Sequence, residues 1–66
     1  MMFVEIDHYY EHLGYVVIPD GCGSWDLILT ANHEPYHRFS SCDKDYLKIL
    51  GNTWESTGHV LLPEID

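Results

Sequence analysis

Three groups of residues in this 66-residue chain have types and spacings that chemistry could use. His8-Tyr9-Tyr10-Glu11-His12 matches H-x-x-E-H, in which two helical histidines hold zinc and the glutamate acts as base. On a helix, positions 8 and 12 lie one turn apart and share a face. A zinc peptidase also needs a third ligand and a substrate cleft, and so short a chain leaves little room for either. What remains is a small metal site on His8 and His12, weighed against ordinary surface histidines. His33-Glu34-Pro35-Tyr36-His37 repeats the spacing, but Pro35 cannot sit inside a helix, so the segment reads as a polar turn. Cys42 precedes an expected helix, where the dipole favours thiolate, yet a nucleophile would also need a histidine base beside it. A buried structural cysteine is the expectation there. Asp20-Gly21-Cys22-Gly23 lacks the Lys and the Ser or Thr of a phosphate loop. No catalytic residue, metal ligand or cofactor is therefore expected, and no enzyme.

The carboxylates offer a different chemistry. At i, i+4 on a helix they stand about 5–6 Å apart, and two apart on a strand about 6.6 Å. Both separations are of the order of neighbouring phosphates on one DNA strand. A rigid face carrying Asp7, Glu11, Asp26 and Glu34 would then fit a Lys/Arg groove built for nucleic acid. Tyr10 and Tyr36 are the aromatic residues expected on the outside as partner anchors, a role in which such side chains are enriched.

These residues need elements to hold them. Gly14 to Thr30 is the organising stretch: Tyr15–Ile18 and Trp25–Leu29 read as strands of a hairpin around Asp20–Ser24. Trp25, Leu27 and Leu29 share one face, and Asp26, Ile28 and Thr30 the other. Before it, Ile6, Tyr9, Tyr10 and Leu13 fall at helical spacing and predict a helix over 1–13 stopped at Gly14; a strand over Met2–Ile6 competes. After it come a turn at Ala31–Pro35 and a short strand at Tyr36–Phe39. A second helix is expected from Ser40-Ser41, with Tyr46, Leu47, Ile49 and Leu50 inward and a stop at Gly51-Asn52. Trp54 is expected in a turn or short strand, and His59–Leu62 as a final strand. The expected fold is α+β: one domain, residues 1–66, with a small antiparallel sheet of three to four strands and two helices on one face.

Composition bounds the function. The apolar fraction is 45% and nine residues are aromatic, enough for a folded core rather than an acidic tail. Acids outnumber bases eleven to three, giving a net charge of −8. Residues 1–37 hold six acids and no base, and all three bases lie between Arg38 and Lys48. Such a chain repels nucleic acid and anionic membrane, and attracts basic surfaces within a Debye length of about 8–10 Å. No apolar run approaches the length of a membrane span and no basic leader opens the chain, so a cytoplasmic protein with free thiols at Cys22 and Cys42 is expected.

In size, acidity, aromatic content and lack of catalytic motifs, the whole chain resembles the small phage-encoded inhibitors of bacterial defence, anti-CRISPR proteins in particular. That resemblance is of composition and carries no motif, so it transfers no residue by position. It implies non-enzymatic binding to a Cas surveillance complex of the type I class in the bacterial host cytoplasm, blocking access to target DNA. The segment from Arg38 to Lys48 departs from the pattern and would face away from such a partner. The expected partner is thus a basic DNA-binding protein or a Cas complex subunit, with no direct contact to nucleic acid or membrane. An accessory domain binding through aromatic anchors and a metal-binding domain built on His8 and His12 are the alternatives.

Overall fold

The structure, a computed structural model, describes residues 2–6 and 10–62. The central hairpin is present. Strand β2 (Leu13–Pro19) pairs antiparallel with β3 (Trp25–Ala31), which pairs in turn with β4 (Glu34–Ser41). The register runs from Pro19↔Trp25↔Ser41 at one end of the sheet to Leu13↔Ala31↔Glu34 at the other. The six steps from Trp25 to Ala31, at about 3.3 Å each, make that span about 20 Å. Alternation along β3 sorts its side chains as expected: Leu27 and Leu29 are fully buried, and Asp26, Ile28 and Thr30 take the opposite face.

Both loops of this meander follow from their residues. Asp20 closes the first by accepting from the N–H groups of Cys22 (2.7 Å) and Ser24 (3.2 Å). Gly21 and Gly23 supply left-handed φ values of 87° and 83°. The second loop is only Asn32-His33, at φ 52° and 69°. Positive φ at both central residues is what a type I′ two-residue hairpin turn requires, and its twist matches that of the flanking strands.

The single helix among the described residues is α1 (Lys44–Thr57), which lies on the Leu27–Leu29 face. Its buried residues are Leu47, Leu50, Gly51 and Trp54, at i, i+3, i+4 and i+7. Ile49, expected inward, is 62% exposed. The cap is Asp43, which accepts from the Tyr46 N–H at 3.1 Å, while the Ser41 hydroxyl accepts from Asp43 itself at 3.2 Å. The hydroxyl therefore acts just outside the helix rather than capping it.

A second, two-stranded sheet completes the core. Strand β1 (Met2–Glu5) pairs antiparallel with β5 (His59–Leu62), bringing Val4 opposite Val60. Val4, Val60 and Leu62 join the cluster formed by Leu27, Leu29, Phe39, Leu47, Leu50 and Trp54.

The expected two helices on one sheet are thus corrected to one helix and five strands in two sheets among the described residues. The expected helix over 1–13 is replaced by β1, because Phe3 and Val4 find a ladder in β5; residues 7–9 lie outside the described residues. The expected stop at Gly51-Asn52 is also overturned. Gly51 sits inside α1 because the Tyr15 ring occupies the space a Cβ would take, 2.3 Å from that position. The helix continues through Trp54 and ends at Gly58, whose φ of 77° forms the left-handed cap and whose N–H donates to the Trp54 carbonyl.

Candidate functional site

Seven carboxylate residues among the described ones are exposed: Glu5, Glu11, Asp20, Glu34, Asp43, Asp45 and Glu55. The sheet register sorts several of them to its two ends. Asp20 in the β2–β3 loop, with Asp43 and Asp45 at the start of α1, lies at the Trp25–Ser41 end. Glu11 and Glu34 lie at the opposite end, tied together by the turn residue Asn32. Arg38 and Lys44 are exposed but each has a contact within the chain: Arg38 pairs with Asp26, and the Lys44 ammonium sits 4.5 Å from the centre of the Trp25 ring. Lys48 is exposed on the helix.

The four carboxylates expected to form one face do not all meet. Glu11 and Glu34 do share an end of the molecule. Asp7 lies outside the described residues. Asp26 is withdrawn from the surface: it is 3% exposed and accepts hydrogen bonds from the Arg38 guanidinium and the Ser40 hydroxyl. Those two bonds, the Arg38 contact first, hold its carboxyl below the usual aspartate range against the opposing effect of burial. Ser40 stands directly opposite Asp26 in the ladder and Arg38 opposite Ile28, so both donors reach the carboxylate along the open face of the sheet. Sequence reasoning missed this triad, although alternation along two adjacent strands could have put Arg38 and Ser40 on the Asp26 face.

The two tyrosines expected as external anchors are half-buried in an aromatic stack. Tyr36 lies 5.2 Å from Trp54 between ring centroids, and its hydroxyl donates to the Glu5 carbonyl at 2.7 Å. Tyr10 meets Tyr36 edge-on at 5.8 Å and 83°. Their positions tie β1 to β4 and the helix. The exposed large apolar side chains among the described residues are Phe3, Val16, Ile18, Ile49 and Leu61, of which Val16 (47%) and Ile18 (41%) flank Ile28 on the face of the three-stranded sheet opposite α1.

Among the histidines, His8 lies outside the described residues, so the proposed pairing of His8 with His12 does too. The structure brings a different pair together. His12 and His33 are both exposed, with ring centroids 5.1 Å apart and planes tilted by 30°. Asn32 holds this junction, its Oδ1 accepting from the N–H groups of Glu11 (3.1 Å) and His12 (3.2 Å). Its own N–H donates to the His12 carbonyl at 2.6 Å. The sequence signal was a turn Asn between two apolar runs, which is a common left-handed residue. His33 beside it is less suited to positive φ, where a non-glycine residue costs roughly 1–2 kcal/mol.

Cys22 and Cys42 are both free and both exposed, which overturns the buried cysteine expected at position 42. The helix begins two residues beyond Cys42, leaving its side chain outside the packed face. A pocket of about 340 Å³ runs along β4, lined by Ile28, Pro35, Tyr36, His37 and Arg38. The His37 Nε2 is buried with no hydrogen-bond partner among the described residues. The pocket lining includes no carboxylate or thiol to act with that imidazole. Among the described residues no cluster of three or more metal-ligating side chains forms, and no helix is long and apolar enough to cross a membrane.

Comparison of the chain with family models, curated proteins and solved structures finds no match.

Proposed function

We propose that this chain is a non-enzymatic binding protein whose acidic surface occupies a basic groove that another protein uses for nucleic acid. The observation carrying this reading is the charge arrangement: exposed carboxylates at both ends of the three-stranded sheet, with the exposed Arg38 paired to Asp26 and the exposed Lys44 set against the Trp25 ring. The ends are about 20 Å apart, a length covered by about six phosphates at 3.4 Å per nucleotide along one strand. Glu11 and Glu34 at one end, and Asp20, Asp43 and Asp45 at the other, would face Lys and Arg side chains of the partner, so the Arg38–Lys48 segment, expected to face away, would instead contribute Asp43 and Asp45. Asp26 has no part in this contact. The compositional resemblance to anti-CRISPR inhibitors makes a Cas surveillance complex the first partner to test.

The test is a pull-down from bacterial lysate at low salt, with captured proteins eluted by a salt gradient. The reading expects one basic, DNA-handling complex, released at moderate salt and displaced by duplex DNA, because steered charge contacts weaken steeply with ionic strength. A captured partner that survives high salt and ignores DNA would overturn it.

One observation favours a second reading, an ordinary protein-interaction domain. Val16 and Ile18 present exposed apolar surface beside Ile28 on a sheet face that no element among the described residues covers. Binding through that face would be salt-resistant and would be weakened by Val16→Ser and Ile18→Ser.

A further inference from the structure

We propose that His12 and His33 form a two-histidine site for a divalent transition-metal ion, zinc being the probe of choice. Two imidazoles bound to one tetrahedral ion, with metal–nitrogen distances of about 2.0–2.1 Å, place their ring centroids about 5 Å apart. His12 and His33 stand at 5.1 Å. Both rings are exposed, so rotation about the ring torsions can turn one nitrogen of each toward a shared point without disturbing the core. Imidazole is a ligand suited to zinc, copper and nickel.

Two further features favour a built arrangement over a chance contact. Asn32, the chain neighbour of His33, clasps the backbone beside His12, through its side chain to the N–H groups of Glu11 and His12 and through its own N–H to the His12 carbonyl. A ligand pair so held loses little freedom on binding. His33 also takes a position, at φ 69°, where a two-residue turn ordinarily prefers glycine, and a side chain kept at such a position is a pointer to use. The exposed residues Glu11 and Glu34 adjoin the pair in sequence and add a negative field that draws cations. The protein supplies two ligands, leaving the other coordination positions open to water or to donors of a bound molecule. This inference stands independently of the acidic-surface reading.

The test is calorimetric titration of the full chain with zinc chloride near neutral pH, paired with NMR of the histidine ring nitrogens. One ion per chain should bind, shifting the ring signals of His12 and His33 together. His12→Gln and His33→Asn should each weaken binding by about tenfold or more, while His37→Gln and His59→Gln leave it unchanged. Asparagine suits the left-handed position, so His33→Asn removes the ligand without straining the turn. Asn32→Gly should weaken binding with both imidazoles present, and Asn32→Asp, which keeps the acceptor, should restore it. Absence of binding at millimolar zinc overturns the proposal. So does binding that persists in His33→Asn, which would place the ligands elsewhere.

Discussion

The indole N–H of Trp54 donates to the carbonyl oxygen of Thr30 at 3.0 Å, where the register of β3 against β4 slips. The residue opposite Thr30 is Pro35, which has no N–H to offer. Helix α1 thus supplies a donor to a strand carbonyl at an irregular point of the ladder, and it does so from a side chain that is fully buried. Trp54→Phe keeps an aromatic ring but removes the donor. Leaving that carbonyl unpaired should cost about 1–3 kcal/mol, with the lost ring volume adding to it. Urea denaturation followed by Trp25 fluorescence measures this directly. A loss within error of zero would mean that water serves the carbonyl equally well.

Gly51 of the helix and Tyr15 of the sheet pack so closely that no side chain fits at position 51. Alanine is worth about 1 kcal/mol over glycine in a helix interior, so Gly51→Ala would stabilise an unconstrained helix. Here the new methyl group would lie 2.3 Å from the Tyr15 ring, whose hydroxyl donates to Asn52 at 2.9 Å and holds it in place. Net destabilisation of about 1–3 kcal/mol is expected, as for other overpacked cores. Truncating the ring should reverse the sign: in a Tyr15→Ala background, Gly51→Ala should stabilise. A double-mutant cycle in which the two changes simply add would contradict the contact.

The same pair explains where sequence reading stopped. Strand alternation at Trp25–Leu29 is a local signal, and it placed Leu27 and Leu29 on one face and Asp26 on the other, but it did not show that Asp26 is buried there. Gly51-Asn52 carries an equally local stop signal, but whether a glycine ends a helix or admits a neighbour depends on Tyr15, which is far away in sequence. The first strand was misread for a related reason. Ile6, Tyr9, Tyr10 and Leu13 fit a helical face, while the ladder that claims Phe3 and Val4 is formed by β5 at the far end of the described chain. For the candidate site, the sequence showed the excess of acids. It could not show that Arg38 neutralises Asp26 or that Asn32 draws His12 to His33.

Asp26 makes a prediction about acid. Its folded-state pKa is lowered by Arg38 and Ser40, whereas in the unfolded chain it sits near 3.9. A depressed carboxylate contributes stability that is fully present above the unfolded value and is lost as pH falls through the lower folded value. Stability should therefore decline below about pH 4 with a leg that Asp26→Asn removes. The variant should also have a lower denaturant midpoint at neutral pH, since Arg38 then lacks its counter-charge. Midpoints measured from pH 2 to 7 on both proteins would check this; parallel curves would assign the acid response to other carboxylates.

The thiols should be accessible in the native state. Cys22 lies in the β2–β3 loop and Cys42 just before α1, and both are exposed and unpaired. A chromogenic disulfide reagent should titrate two thiols per chain without denaturant, and the same number with it. A native titre below two would mean that one site is shielded or oxidised.

The acidic-surface reading can be tested end by end once a partner is in hand. Asp20 and Asp43 are poor choices for charge reversal, because their side chains accept backbone N–H groups and their loss would disturb a loop and a helix cap. Glu34 and Asp45 are exposed at opposite ends of the molecule, with no comparable backbone bond from their side chains among the described residues. Glu34→Lys and Asp45→Lys should leave the fold intact and slow association at low salt, together by about tenfold or more. Most of that difference should vanish in high salt, where the charges are screened. If reversal at one end alone has the whole effect, the groove covers only that end. An unchanged association rate with both reversals in place would rule out electrostatic docking and leave the open apolar face of β2 and β3 as the surface to mutate.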